Sequence, residues 1–231
     1  MDVVYPLSNS YTGEELKYSL RSLSNIPHDK VFFVGGCPKW AKNVIHMPNE
    51  QTGTKWQNVP KNLIKVCQDE RVSANFIYMN DDFFILEPIK TKDLNLYNGT
   101  IQSVYNKLAQ RHSTPTNYMV GMLETQEFLK GLGIENPLSY ELHTPIVFNK
   151  KKLLKALERE DIKHIDVLHY RSLYGNLYLK GGIDMRDVKV FMRNGFVPKN
   201  AGKFLSCDAG GFYILQHYLS CKFPKKSDYE I

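Results

Sequence analysis

Apolar runs and amphipathic stretches alternate along the chain. Val3 to Pro6 is short and apolar and reads as a strand. From Glu14 to Leu23, Leu16, Leu20 and Leu23 share one helical face, and Ser24-Asn25-Ile26-Pro27 closes the helix. Lys30 to Gly36 holds the apolar run Val-Phe-Phe-Val followed by two glycines, a buried strand and its turn. Asn43 to His46 reads as a short strand, Val59 to Gln68 as a helix with Leu63 and Ile64 inward, and the run beginning at Phe76 as another strand. Farther on, Tyr118 to Leu132 has a helical pattern stopped at Gly133. Asn149 to Glu158 and Val167 to Leu179 read as helices, Val188 to Phe191 and Phe204 to Cys207 as strands. Gly210-Gly211 open a helix running to about Leu219. The polar stretch from about Leu94 to Asn117, with Arg111-His112-Ser113-Thr114-Pro115-Thr116, reads as an acceptor loop or lid.

Strand–helix–strand alternation predicts an α/β fold with a mostly parallel central sheet covered by helices on both faces. A chain of 231 residues buries a sizeable core. It shows no internal repeat, low-complexity segment or clear linker, so residues 1–231 are expected to form one compact domain.

The run Phe76-Ile77-Tyr78-Met79 ends abruptly in Asn80-Asp81-Asp82, and apolar residues resume at Phe83. Adjacent carboxylates at the mouth of a buried strand repel each other and cost desolvation unless a cation sits on them. Hard oxygen ligands suit Mg²⁺ or Mn²⁺, ions that keep positions for water and substrate phosphates. In open α/β sheets, ligands bind outside the carboxyl ends of the strands. The residues alone equally permit a turn with both Asp side chains solvated.

Charge changes the picture modestly. The formal net charge is +6 and the sequence pI about 9.0. Much of the excess sits in Lys150, Lys151, Lys152 and Lys155, and in Lys222, Lys225 and Lys226. Such a surface attracts nucleic acid, anionic polymers or phosphorylated small molecules. The four cysteines, Cys37, Cys67, Cys207 and Cys221, lack metal-ligand spacing and are expected to be reduced. No apolar run is long enough to cross a bilayer, and the N-terminal residues lack the form of a signal peptide. Both point to a cytoplasmic protein.

Several segments, in order, resemble a known family. Asp2-Val3-Val4-Tyr5, Glu14 to Leu23, Val31-Phe32-Phe33-Val34, Pro38-Lys39-Trp40 and Phe76 to Asp82 are similar to the first two conserved regions of the Stealth-type sugar-phosphate transferases. His143-Thr144-Pro145, with Arg171 beyond it, is similar to the third region. Lys203 to Asp208 and Phe223 to Glu230 are similar to the fourth, with Asp208-Ala209 where the family has Asn-Asp. The resemblance implies a fold related to the GT-A glycosyltransferases, a nucleotide-sugar donor (a UDP-sugar in the first instance) and a divalent metal.

Site residues follow. Asp81 and Asp82 are expected to hold the metal, and Asn80 to orient a ribose or sugar hydroxyl or to cap a turn. The donor site is expected to take in Tyr5, Pro6 and Arg21, Arg21 reaching the phosphates or pairing with Glu14 or Glu15. A lone histidine usually fills a structural role, but the His-x-Pro match implies proton transfer by His143. Arg171, in a tyrosine-rich segment, is a planar donor for phosphate or a surface ion pair. Asp208 presents a carboxylate at a helix start, or caps that helix. These residues describe a metal-dependent transferase moving a sugar or sugar 1-phosphate to an acceptor hydroxyl, on carbohydrate or, alternatively, on hydroxymethylated bases in DNA. A non-catalytic binding protein with a degenerate core is the remaining class.

Overall fold

The first strand, β1 (Asp2–Leu7), is buried along nearly its whole length because a neighbour pairs with it on each side. A computed structural model describes residues 1–194 and 202–231. Around β1 the chain builds α1 (Glu15–Ser22), β2 (Val31–Gly35), β3 (Ile45–Met47), α2 (Lys55–Gln68), β4 (Asn75–Tyr78) and β5 (Phe83–Ile85). Then come β6 (Leu96–Tyr97), α3 (Ile101–Ala109), α4 (Asn117–Gly131), β7 (Ile146–Asn149), α5 (Lys150–Leu157) and α6 (Tyr170–Tyr174). The last elements are β8 (Ile183–Asp184), β9 (Lys189–Val190), β10 (Phe204–Cys207) and α7 (Ala209–Lys222).

The central sheet has the order β3-β2-β1-β4-β7, parallel except for β7. This is the expected α/β architecture, one compact domain. Connections from β1 step outward to β2 and β3, and α2 then carries the chain back to β4 on the other side. The order therefore reverses between β1 and β4, the position where open α/β sheets form a ligand crevice. Parallel strands β1, β2 and β4 all end at that edge. Antiparallel β7 begins there, with Ile146 paired to Tyr78. Val3, Val4, Phe32, Phe33, Phe76, Ile77 and Phe148 are fully buried and form the core around the sheet.

A smaller sheet, β5-β10-β9, lies beyond β4. β10 runs antiparallel to β5 and parallel to β9, so Ser206 faces Phe83 on one side and Lys189 on the other. This sheet attaches the C-terminal third of the chain to the residues that follow β4.

Two regions differ from the pattern-based expectation. The stretch 94–117 is not simply a loop: it holds β6 and α3, and only the residues from about 110 to 116 are irregular and exposed. Thr100 caps α3 by accepting from the Ser103 N–H at 3.1 Å, and Ile101, Val104, Tyr105 and Leu108 pack toward α4. The helix expected from Val167 begins only at Tyr170 and continues past Tyr174 as a wider turn over Gly175–Leu179. Gly175 is required there, because a Cβ would meet the Tyr140 ring at 2.2 Å. Strands β5 and β7 have no counterpart in the pattern-based reading. All four cysteines are free.

Candidate functional site

Asp81 and Asp82 sit in the short turn between β4 and β5, at the switch-point edge. That turn is closed by the Phe83 N–H donating to the Asn80 carbonyl at 3.2 Å. Ser19 on α1 donates to the carbonyls of Asn80 and Phe83 at 3.2 and 2.7 Å, fixing the turn from below. Neither carboxylate is fully neutralised. Burial, then the neighbouring charges of Asp82 and Glu15, push the Asp81 carboxyl up to about 7. Asp82 Oδ2 meets Lys189 Nζ at 3.3 Å, while buried Oδ1 has no hydrogen-bond partner among the described residues. Burial, with Asp82 and Glu14 adding to it, holds Glu15 above the usual carboxylate range. Cys207 is next to this acidic patch: burial first, then Asp82 and Glu15, push its thiol pKa up.

Among the described residues, no group of three or more His, Cys, Asp or Glu side chains is arranged to hold a metal ion. Two protein carboxylates are nonetheless a sufficient protein share for a Mg²⁺-type site, since such ions take most of their ligands from water and phosphates. The unpartnered Oδ1 of Asp82 and the strained ionisation of Asp81 fit a cation bound against this pair.

His143 lies close by, although it is remote in sequence. The segment 143–145 leads into β7 at the same edge at which β4 leaves, and the His143 ring meets the Phe83 ring edge-on at 6.3 Å. Its Nδ1 donates to Asp187 Oδ2 at 2.7 Å, and its backbone N–H donates to Asp187 Oδ1 at 3.0 Å. Burial works to raise the Asp187 pKa, but the bonds from His143 and Val188 outweigh it and hold the carboxyl below its ordinary value. Asp187 and Lys189 are two residues apart, so one short segment reaches both His143 and Asp82. Asp187 carried no signal in the chain's pattern, because Met185-Arg186-Asp187 matches no motif and its role exists only in the pairing with His143.

Other expected residues fall elsewhere. Tyr5 is wholly buried, its hydroxyl 3.0 Å from Ser19 Oγ, so it is a core residue that cannot touch a donor. Arg21 is not free for phosphate: it forms a two-pronged ion pair with Glu230 at 2.9 and 2.7 Å and bonds the Phe223 carbonyl at 3.2 Å. Neither Glu14 nor Glu15 is its partner. Arg171 is buried rather than at the surface, between the Tyr78 and Phe83 rings, and donates to the Thr144 carbonyl at 2.7 Å. It braces the segment that carries His143. Asp208 caps α7, accepting from the Gly211 N–H at 2.6 Å. Gly211 permits this closeness, since a Cβ there would meet the Val190 carbonyl at 2.3 Å.

Pro6 does line a cavity, of about 390 Å³, with Ser8, Asn9, Gln51, Lys55 and Asn58. Gln51 fixes its wall by donating to the Leu7 carbonyl at 2.7 Å and accepting from Asn9 N–H at 3.0 Å. Gly36 brings the turn after β2 against it; a Cβ there would lie 2.0 Å from the Ser8 carbonyl oxygen. Asn80 contributes a turn carbonyl. A second cavity, of about 810 Å³, takes in His143, Asp187 and Lys189. Tyr11 stands beside Asp81; burial first, then Asp81 and Glu15, raise its pKa.

Lys150 does not belong to this edge. Its Nζ donates to the carbonyls of Asp69 and Val72 at 2.5 and 3.0 Å, near the start of β4 at the opposite end of the sheet. Among the described residues, no helix is long and apolar enough to cross a membrane.

No family model matches the chain, and no curated protein matches it. The likeness to the Stealth-type transferases therefore rests on the residues quoted for it. Among solved structures, the chain is similar to the glycosyltransferase GlyE of Streptococcus pneumoniae TIGR4, at 11% identity and a TM-score of 0.38. That alignment takes in 84% of this chain and 46% of the other, so the chain spans about half the length of that enzyme.

Proposed function

We propose that the chain is a GT-A-like, Stealth-like transferase that takes a nucleotide sugar, in the first instance a UDP-sugar, and moves the sugar or its 1-phosphate to an acceptor hydroxyl. One observation carries the reading. An incompletely neutralised carboxylate pair and a His–Asp pair meet at the switch-point edge of the sheet, and one cavity is lined both by His143 and by Lys189, the partner of Asp82.

In this reading the nucleoside enters the cavity beside Pro6 and Gln51, and its diphosphate lies toward Asp81 and Asp82. Those two carboxylates would hold Mg²⁺ or Mn²⁺. The bound ion would supply neutralisation of the charge that develops on the leaving nucleotide. Lys189, next to Asp82, adds a fixed positive charge there.

Asp187 holds His143 in the tautomer with hydrogen on Nδ1, so Nε2 carries the lone pair. That nitrogen removes the acceptor proton. Arg171 acts indirectly, fixing the Thr144 carbonyl so that the backbone before β7 keeps His143 in place. Asp208 is a helix cap at the edge of the site. Sugar transfer and sugar 1-phosphate transfer differ in which donor atom the acceptor oxygen attacks.

The test incubates the protein with Mn²⁺ and a panel of nucleotide sugars, with carbohydrate acceptors and with hydroxymethylated DNA. Release of nucleoside diphosphate identifies sugar transfer, and release of nucleoside monophosphate identifies sugar-phosphate transfer. Absence of nucleotide binding and of release across the panel would overturn the reading.

A further inference from the structure

The 810 Å³ cavity next to His143 is lined by five cationic side chains, Lys107, Arg111, Arg186, Lys189 and Arg193. They come from separate places: α3, the segment after it, the segment before β9, β9 itself and the turn after β9. Only two acidic side chains, Glu141 and Asp187, share the cavity. Both are engaged, Glu141 accepting from the Ser172 N–H at 2.9 Å and Asp187 holding His143. Lys189 pairs with Asp82. Among the described residues, Lys107, Arg111, Arg186 and Arg193 have no carboxylate within ion-pair distance.

Like charges gathered around a concavity repel one another and focus a positive potential into it. Guanidinium groups in that setting suit phosphate, which they grip through paired N–H donors. The donor diphosphate does not account for them, since it is expected at Asp81 and Asp82 with Lys189 as its local cation. The cavity's volume is that of a small-molecule site. A duplex requires a long open face rather than a cavity, and Lys150 lies at the other end of the sheet.

We propose that this cavity is the acceptor site and that the acceptor is a phosphate-bearing carbohydrate. Its phosphate lies among Arg111, Arg186, Arg193 and Lys107, and its hydroxyl meets His143 Nε2. The inference rests on the transferase reading for the role of His143. His143 takes the hydroxyl proton, and the acceptor oxygen bonds to the donor's anomeric carbon. The bond from that carbon to the diphosphate oxygen breaks, and nucleoside diphosphate leaves with the electron pair. In sugar-phosphate transfer the oxygen bonds instead to the sugar-bearing phosphorus, and nucleoside monophosphate leaves.

The experiment titrates the protein with glucose 6-phosphate, glucose, inorganic phosphate and a short DNA duplex, following binding by NMR. UDP with Mn²⁺ is titrated in parallel by calorimetry. The expected result is binding of glucose 6-phosphate at least tenfold tighter than glucose. Arg111→Gln combined with Arg186→Gln should weaken it tenfold or more, with UDP–Mn²⁺ affinity unchanged within twofold. Arg193→Gln, tested alone, should weaken it in the same direction. Equal affinity for glucose and glucose 6-phosphate, or no change in these variants, would overturn the proposal. So would duplex binding tighter than sugar phosphate binding and lost in the same double variant. Loss of UDP–Mn²⁺ binding in the unaltered protein would instead overturn the transferase reading, so the two failures are distinguishable.

Discussion

The two ends of the central sheet hold buried carboxylates in opposite circumstances. At the end where β1 begins, Asp2 is 3% exposed and fully engaged. Its carboxylate accepts from the Ser73 N–H at 2.7 Å and the Lys30 N–H at 3.2 Å, tying three strand ends together. At the end where β4 leaves, Asp81 is pushed up to about 7, and Asp82 keeps a buried oxygen without a partner. The cations differ by exposure instead, since Arg111, Arg186 and Arg193 are open to solvent. Arg21 is consumed by Glu230, and Lys150 by backbone carbonyls, while Arg111, Arg186 and Arg193 line a cavity without carboxylate partners among the described residues. A buried charge that the fold satisfies is a structural element. One that the fold leaves unsatisfied costs stability and so marks a place where something else binds.

Substitutions at the two ends should therefore act on different observables. The largest effect is expected at His143. His143→Ala should lower kcat about 10²- to 10⁴-fold, the usual range for a general base, with donor affinity little changed. Asp187→Asn should lower kcat less, and its pH–rate profile should move, because the carboxylate that fixes the tautomer is gone. Asp2→Ala should leave turnover intact but lower stability by about 1 to 3 kcal/mol, the cost of orphaning buried N–H donors; chemical denaturation measures it.

Asp81→Asn should do the reverse and stabilise the protein. The folded-state pKa of Asp81 is raised, so the native state binds its proton more tightly than the unfolded chain does. Its contribution is thus a destabilisation, absent below the ordinary aspartate range and growing as pH rises toward about 7. Without metal, the variant should gain stability at pH 8 and little at pH 4. Thermal melts across pH read this directly, and an Asp81→Asn protein less stable at both values would break the comparison. The smallest effect is expected for Lys151→Glu, on the helix that starts at the far end: activity within twofold of the parent in the donor-release assay.

Much of the fold was legible because its chemistry is local. The apolar runs at Val3, Val31 and Phe76 are strands whose burial is written in consecutive residues. The Asp81-Asp82 pair was legible for the same reason, its two charges being adjacent to the run they terminate. What stayed hidden depends on partners far along the chain. Asp187 meets His143 across 44 positions, and Arg21 meets Glu230 across 209. Tyr5 looked available at a strand end, yet it pairs with Phe33 of β2 and is fully buried. Helix α3 is a different case: Ile101, Val104, Tyr105 and Leu108 do have helical spacing, but polar neighbours masked it. Strand β7 is a three-residue apolar run after Pro145, too short for periodicity to declare. Its antiparallel direction nevertheless delivers His143 to the site.

If the unsatisfied carboxylates are a ligand site and the satisfied one is not, metal-dependent nucleotide binding separates them. Calorimetric titration of UDP in the presence of Mn²⁺ into the parent, Asp81→Asn, Asp82→Asn and Asp2→Asn proteins tests it most directly. Metal-dependent binding is expected in the parent and in Asp2→Asn, and its loss in both Asp81→Asn and Asp82→Asn. Unchanged affinity in Asp81→Asn and Asp82→Asn, or binding that is indifferent to Mn²⁺, would contradict it.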